Sequence, residues 1–444
     1  MFVRLFVLLF LLTMPRNSYA VPRLFDMSEF YLNNGLRVIV VNNPKAPIVK
    51  QMLWYKVGSM DEDLGKGGTA HLLEHLMFRG TKDVSGKEFN AVLEKSGAEV
   101  NAFTAQDVTA YHEFMDVSRL ELALFLEADR MQNLMLNETD FALERDIVYQ
   151  ERMQVIENNP AAKFKESLQR ALWQKHPYAR PITGEPEEIL GLSIVDIQKF
   201  YDRYYTASNA VLVISGDVTV DEVKPLVEKY FGKISDKKID KSSDISLLTD
   251  KTKAFIQMSL PDISLPNISL NYATSSWGID NADVYALMIF SKYLGEGDTS
   301  YLHKKLVENE KKAISISSNY NPYARSYGSF SVNAVPAYDM EINEFRKILK
   351  SEIVEALNSL NLEKLQHIKR RMLADLVYLK DNPEDAAYIV GMLASLGLKL
   401  EDINSYEDGL RNVKLRDVKV VVKKMLEKLP FAEGVLLPEE ADGA

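Results

Sequence analysis

The chain contains no cysteine among its 444 residues. Disulfides, a thiolate nucleophile and a cysteine-bound metal are therefore excluded. The absence also suits an oxidising compartment, where a free thiol is a liability. Histidine is scarce, at six residues, so two of them at a chemically meaningful spacing carry weight. Positive charge is in deficit. The formal net charge is −10 and there is no long basic run, which argues against nucleic acid as the main partner. No stretch is long and apolar enough to cross a bilayer, which takes about 20 apolar residues, so stable membrane insertion is not expected. What is left is an ordinary globular composition, 46% apolar with mixed charges, at a length that suits two or three domains.

The first twenty residues stand apart. Arg4 gives a short positive start, Leu5 to Met14 is an apolar run, and Ser18-Tyr19-Ala20 is a small-x-small cleavage site. Together they read as a secretory signal peptide over residues 1–20, with the mature chain starting near Val21. An uncleaved anchor is the alternative. The expectation is an exported soluble protein, periplasmic if the source is a Gram-negative bacterium.

Along the mature chain, Phe30 to Val41 reads as two strands joined by an Asn34-Gly35 turn, and Ile48 to Val57 as another strand. Lys87 to Ser96 is a short amphipathic helix. Ala98 to Thr104 and Val108 to Met115 pair as a hairpin. Leu120 to Gln132 and Thr139 to Glu157 are helical, the second stopped by Asn158-Asn159-Pro160. Ala210 to Asp217 is a buried strand with a turn, and Val220 to Phe231 a helix. A stretch rich in Lys, Asp and Ser marks a linker, placed at 236–253. After it a similar order recurs: a strand at Ile268 to Ser275, helices at Asn281 to Tyr293 and Ser300 to Asn309, strands between Ile314 and Val335, then helix pairs to the end. This order reads as a diverged internal duplication, with halves at 21–235 and 254–444.

The chain is organised around His71-Leu-Leu-Glu74-His75. On a helix, His71 and His75 are i and i+4, so both imidazoles leave one face a turn apart. Two nitrogen ligands gripping one zinc ion need that spacing. Glu74 sits on the same face, close enough to act on a water at the metal without being a ligand. Leu72, Leu73, Leu76 and Met77 would pack the helix into a core. Thr69 is a plausible cap and Gly80 a stop. The bland alternative is a buried helix with two satisfied histidines. A catalytic zinc needs three protein ligands and an open position. His112 and His176 are candidates for the third, but each is alone in sequence. Glu151 is the better one, because its long helix carries Glu144 two turns earlier on the same face, free to orient a histidine.

Three segments carry a resemblance: H-L-L-E-H-L-M-F-R-G-T (71–81), N-A-F-T-A-Q-D-V-T-A-Y (101–111) and E-R-D-I-V-Y-Q-E (144–151). In these the chain resembles the pitrilysin family of zinc peptidases, and the likeness extends over nearly the whole mature chain. The resemblance implies an α+β fold of two homologous domains, each a mainly antiparallel sheet packed with helices, enclosing a chamber. It implies one zinc per chain on His71, His75 and Glu151, with Glu74 as general base and Glu144 tuning the site. It also implies that Asn101, Ala102 and Phe103 lie on an edge strand to which a peptide or unfolded substrate adds. The function implied is zinc-dependent hydrolysis of peptides or unfolded segments. The alternative is a non-catalytic structural or partner subunit of the same family.

One departure stands out. Active relatives carry an Arg and a Tyr in the second half, and here Val307 and Ile314 occupy those places. Tyr320, Tyr323, Arg325 or Tyr327 could replace them. The expectation is instead a homologous partner subunit that supplies the Arg–Tyr pair, making this chain the zinc-bearing member of a heterodimer.

Overall fold

The computed structural model describes residues 24–239, apart from 96 and 238, and residues 252–439. The signal-peptide reading lies outside the described residues, as does most of the linker. The described chain forms two mixed sheets with helices packed on them, an α+β architecture. The first half supplies β1 (Met27–Tyr31), β2 (Arg37–Asn42), β3 (Ile48–Tyr55), β4 (Glu99–Thr104), β5 (Thr109–Asp116) and β6 (Ala210–Gly216). They form one sheet in the order β1-β2-β6-β3-β5-β4. The second half supplies β7 (Lys253–Leu260), β8 (Asn267–Thr274), β9 (Ala313–Asn321), β10 (Gly328–Pro336) and β11 (Phe431–Pro438), in the order β7-β11-β8-β10-β9.

The two orders are one topology used twice. In the first sheet β2 runs parallel to β6, and β6, β3, β5 and β4 then alternate antiparallel. In the second, β7 runs parallel to β11, and β11, β8, β10 and β9 alternate in the same way. The match makes β4 and β9 equivalent edge strands and β6 and β11 equivalent central strands. This is the duplication expected from sequence. It also corrects the expectation of helices to the end of the chain. Phe431 to Pro438 is a short apolar run, buried along most of its length. Periodicity cannot separate such a run from a buried helix segment, and tertiary pairing decides it.

The Asn34-Gly35 turn forms as expected, with Gly35 at φ +85° joining β1 to β2. β6 is buried at every residue, as a strand covered on both faces must be. The sheets are covered by helices exchanged between the halves. Helix Pro160–Trp173, which the sequence reading did not anticipate, buries Phe164, Leu168, Leu172 and Trp173 against Ala273, Ala432 and Leu436 of the second sheet. Helix Pro383–Ser395 lies across β3 and β6 of the first sheet. There Gly391 meets Trp54 so closely that a Cβ would stand 2.0 Å from the indole Nε1. Tyr388 of the same helix packs edge-on to Trp54, with ring centroids 5.6 Å apart. Around this contact Lys50 bonds Glu384 at 2.7 Å, and Asn43 Nδ2 donates to the Lys380 carbonyl at 3.2 Å. Each half thus completes the other's core.

Candidate metal centre

The motif helix spans Thr69–Leu76. Eight residues are too few for a stable helix in water, so packing has to hold it. Leu72, Leu73, Leu76 and Met77 are all buried to 1% exposure or less, each contributing roughly 1.5–3 kcal/mol. Its N-terminus is capped differently from the expectation. Thr69 is the first helical residue, and its hydroxyl donates to the Lys66 carbonyl at 2.6 Å. The cap position is Gly68, at φ +87°, where a Cβ would meet the Thr183 carbonyl oxygen at 2.6 Å. The free N–H groups of Gly68 and Ala70 donate to the buried Glu62 carboxylate at 3.3 and 2.8 Å. An anion suits the positive end of a helix.

Glu151 reaches this helix from helix Glu138–Arg152. The expected helix to Glu157 continues as a π-helical turn over Met153–Glu157. Arg152, next to Glu151, is buried and bonded to Glu157 and Glu166 at 2.8 and 2.7 Å, which anchors the turn. Glu151 Oε2 lies 3.9 Å from His71 Nε2 and 3.5 Å from His75 Nε2. The three ligand atoms all fall within 4.8 Å of one another. A tetrahedral ion with bonds of about 2.0–2.1 Å separates its ligands by roughly 3.4 Å, so the donors need close in only slightly to share one. Two imidazoles and a carboxylate are also a donor set characteristic of catalytic zinc with an open position. The residues present fit the ion.

Glu144 stands behind His75, its Oε2 3.0 Å from Nδ1. That contact aims Nε2 at the other two ligands. Arg79 pairs with the same carboxylate and helps hold it below the usual carboxylate range. The histidines differ in the metal-free chain. Burial, with His75 beside it, pushes His71 down to about 4. Burial also disfavours a charge on His75, but bonds to Glu144 and Glu151 outweigh it and lift the group to about 9. The carboxylates beside His75 thus attract positive charge, whereas burial disfavours it on His71.

Glu74 is not among the clustered donors. Its Oε2 accepts a 2.6 Å hydrogen bond from the Thr104 hydroxyl. Burial raises the carboxyl above its ordinary value, while Thr104 pulls it back. Thr104 is the last residue of β4, the edge of its sheet. The β4–β5 turn closes through Ala105 N–H to the Val108 carbonyl at 2.8 Å. The alternation of an antiparallel ladder then turns the backbone groups of Ala102 and Thr104 outward, to the open edge. The Ala102 N–H is met there by the Asn101 side-chain oxygen at 2.8 Å. An open cleft of about 630 Å³ adjoins the site, with Glu74, His75, Arg79 and Glu144 among its lining.

The remaining sequence candidates lie elsewhere. His112 is on β5, opposite Met52 and Asn101, outside the cluster. His176 is buried, its Nε2 3.0 Å from the Ser326 hydroxyl and its Nδ1 accepting from Tyr178 N–H. Arg325 is bound to Asp61 at 2.6 Å and Asp107 at 3.0 Å. Tyr320 donates to the Ser275 carbonyl at 2.7 Å. Val307 and Ile314 offer no donor. Sequence reasoning missed Thr104, Arg79 and Glu62. The first two sit inside the segments that carried the resemblance, so their presence was visible. Their partners were not, since those depend on how β4 and helix Glu138–Arg152 meet the motif helix.

Residues 37–186 match the model of insulinase, peptidase family M16, and residues 191–372 match that of the peptidase M16 inactive domain. All the metal-centre residues fall in the first match. The chain is 27% identical over 422 residues to the zinc protease PqqE of Helicobacter pylori, covering 92% of each. It is 28% identical over 323 residues to a probable mitochondrial-processing peptidase beta subunit of Arabidopsis thaliana, covering 69% of this chain and 59% of that one. Among solved structures, a protease from Helicobacter pylori superposes with a TM-score of 0.86 at 26% identity, covering 93% of this chain and all of that one. The first half of the Escherichia coli periplasmic protease PqqL shares the fold, with a TM-score of 0.78 at 16% identity, covering 95% and 93%. With one M16 model matched in each half and these relatives along its length, the chain belongs to peptidase family M16.

Proposed function

We propose that this chain is a zinc metalloendopeptidase that hydrolyses peptides or unfolded protein segments. One observation carries the reading: a half-buried carboxylate, Glu74, is held by Thr104 between a three-donor metal cluster and an open strand edge. His71, His75 and Glu151 would hold one zinc, which supplies a Lewis acid for the scissile carbonyl and a more acidic water. The backbone groups of Ala102 and Thr104 pair with an extended substrate, a mode that tolerates many sequences. Asn101 gives up its contact with the Ala102 N–H as the substrate strand takes its place. Glu74 accepts the proton of the attacking water and returns it to the leaving amine. No covalent enzyme intermediate is required.

The missing Arg–Tyr pair supports a second element of the proposal. The second half carries Val307 and Ile314 where those groups are expected, and Arg325 and Tyr320 are already engaged. A homologous partner subunit would supply the pair, and the chain would be exported by its N-terminal segment. The decisive experiment compares Glu74→Gln with wild type for zinc content and for cleavage of a quenched peptide, each with and without such a partner. The expected result is equal zinc and a 10²- to 10⁴-fold loss of turnover. Near wild-type cleavage by Glu74→Gln removes Glu74 as the base. Full zinc with no cleavage by wild type in any combination supports the non-catalytic subunit instead.

A further inference from the structure

The second sheet carries a groove of about 810 Å³ between helix Pro160–Trp173 and the outer strands β10 and β9. Its floor has an unusual composition. Register places Ser269, Asn333 and Ser317 side by side across β8, β10 and β9, and Asn271, Ser331 and Asn319 in the next row. Ser329 and Asn321 continue the pattern. The floor bears no charge; the charged groups lining the groove are Lys165 and Asp262, which belong to the helix and to the β7–β8 connection. Two floor contacts are internal: Ser269 donates to Asn333 at 2.6 Å, and Asn271 to Ser269 at 2.9 Å. The side chains of Ser317, Asn319 and Ser331 have no hydrogen-bond partner among the described residues.

The duplication shows that the fold does not demand this floor. At the corresponding place in the first sheet Trp54 and Phe103 pack edge-on with centroids 5.4 Å apart, and His112 lies beside Phe103. The second half has hydroxyls and amides there instead. A primary amide carries both a donor and an acceptor, the same pair that a peptide unit offers. Same-face residues on a strand repeat every two residues, about 6.8 Å, as do the amide groups on one side of an extended chain. From Ser329 to Val335 the floor runs about 20 Å, room for six extended residues. The groove also comes close to β4 along the chain. Gln106, two residues beyond Thr104, is among its lining residues.

We propose that this groove is a second substrate site that binds the backbone of an extended polypeptide through side-chain amides and hydroxyls, without regard to the charge of its side chains. It rests on the peptidase reading and adds a substrate class to it: chains long enough to pass from β4 past Gln106 onto the floor, about ten residues or more. Shorter peptides reach the metal centre but not the groove.

The test uses zinc-loaded full-length Glu74→Gln protein and two unstructured neutral peptides of Gly, Ser, Ala and Thr, six and sixteen residues long, with affinities measured by calorimetry. The longer peptide is expected to bind about tenfold more tightly, equivalent to about 1.4 kcal/mol. Adding Ser331→Ala, Asn319→Ala and Asn333→Ala should remove that advantage and leave the short peptide unchanged. The single change Asn319→Ala, at an exposed side chain, should remove part of it without risk to the fold. Lys or Glu placed in the distal half of the long peptide should change its affinity less than about twofold, a small margin beside the tenfold gain. A long peptide with no advantage, or an advantage that survives the triple substitution, overturns the groove. Cleavage of the short peptide by wild type, with no effect of length, leaves the peptidase reading standing and the groove refuted. A long peptide bound only through the groove, with the short one neither bound nor cleaved, does the reverse.

Discussion

Replacing Thr104 with valine removes one hydroxyl and keeps the shape and strand preference of the side chain. Among the described residues that hydroxyl is the only side-chain group bonded to Glu74, at 2.6 Å. A hydrogen bond to an ionised carboxylate contributes roughly 1.5–3 kcal/mol. Its loss frees Glu74 to rotate and removes a contact that draws its pKa down. A well-placed general base contributes about 10²- to 10⁴-fold. Losing its orientation, but not the carboxylate itself, should therefore lower kcat by roughly 10- to 100-fold, the range that 1.5–3 kcal/mol spans. KM should change little, because the Thr104 backbone still faces the open edge of β4. Thr104→Ser restores the donor and should recover most of the rate. Steady-state kinetics on a quenched peptide, with zinc content and melting temperature measured in parallel, reads all of this. A Thr104→Val enzyme with wild-type kcat, or one in which KM alone rises, refutes the assigned role.

Three further outcomes follow from other contacts. Glu151→Gln should lower zinc content at limiting metal, since a neutral amide is a poorer ligand; metal analysis after gel filtration that finds full zinc would move the third ligand elsewhere. Gly391→Ala should destabilise the fold by about 1–3 kcal/mol, because its methyl group would collide with the fully buried Trp54; an unchanged urea midpoint would mean the helix is less tightly seated than described. Glu433 is buried against Arg346 at 2.8 Å and Lys350 at 2.6 Å. Burial opposes its charge, but those two bonds outweigh it and depress its pKa. With the folded value below the unfolded one of about 4.3, its stabilisation is complete above about pH 5 and fades as pH falls through the folded value. Glu433→Gln should thus be less stable than wild type at pH 7 and converge with it as pH falls below the folded value; a stability gap independent of pH would contradict this.

The metal centre was legible early because its chemistry is local. His71, Glu74 and His75 share one helical face, and Glu144 and Glu151 share another, so spacing alone nominated both groups. Joining them needed tertiary structure, and there the family resemblance supplied what periodicity could not. The strands with a turn residue or clear alternation, such as those flanking Asn34-Gly35, were equally plain. β11 was not, because a short apolar run reads alike as strand or helix. Helix Pro160–Trp173 is not legible because its buried face is complementary to a sheet that begins only at Lys253 and ends at Pro438. Arg325 shows the opposite case: a cation in a plausible stretch of sequence that the fold commits to Asp61 and Asp107.

The exchange of covering helices also governs how this protein comes into being. Synthesis delivers all six strands of the first sheet by residue 216, yet the helix that covers β3 and β6 begins only at Pro383. Until then Trp54 has Phe103 beside it but no helix over it, and the nascent first half presents an apolar face to whatever surrounds it. Such exposure invites aggregation and calls for chaperone protection. Contacts this distant in sequence also slow the final docking step. A truncated first half, with His71, His75 and Glu151 all in place, should therefore be a poor stand-in for the whole, and supplying the second half as a separate chain should rescue its solubility.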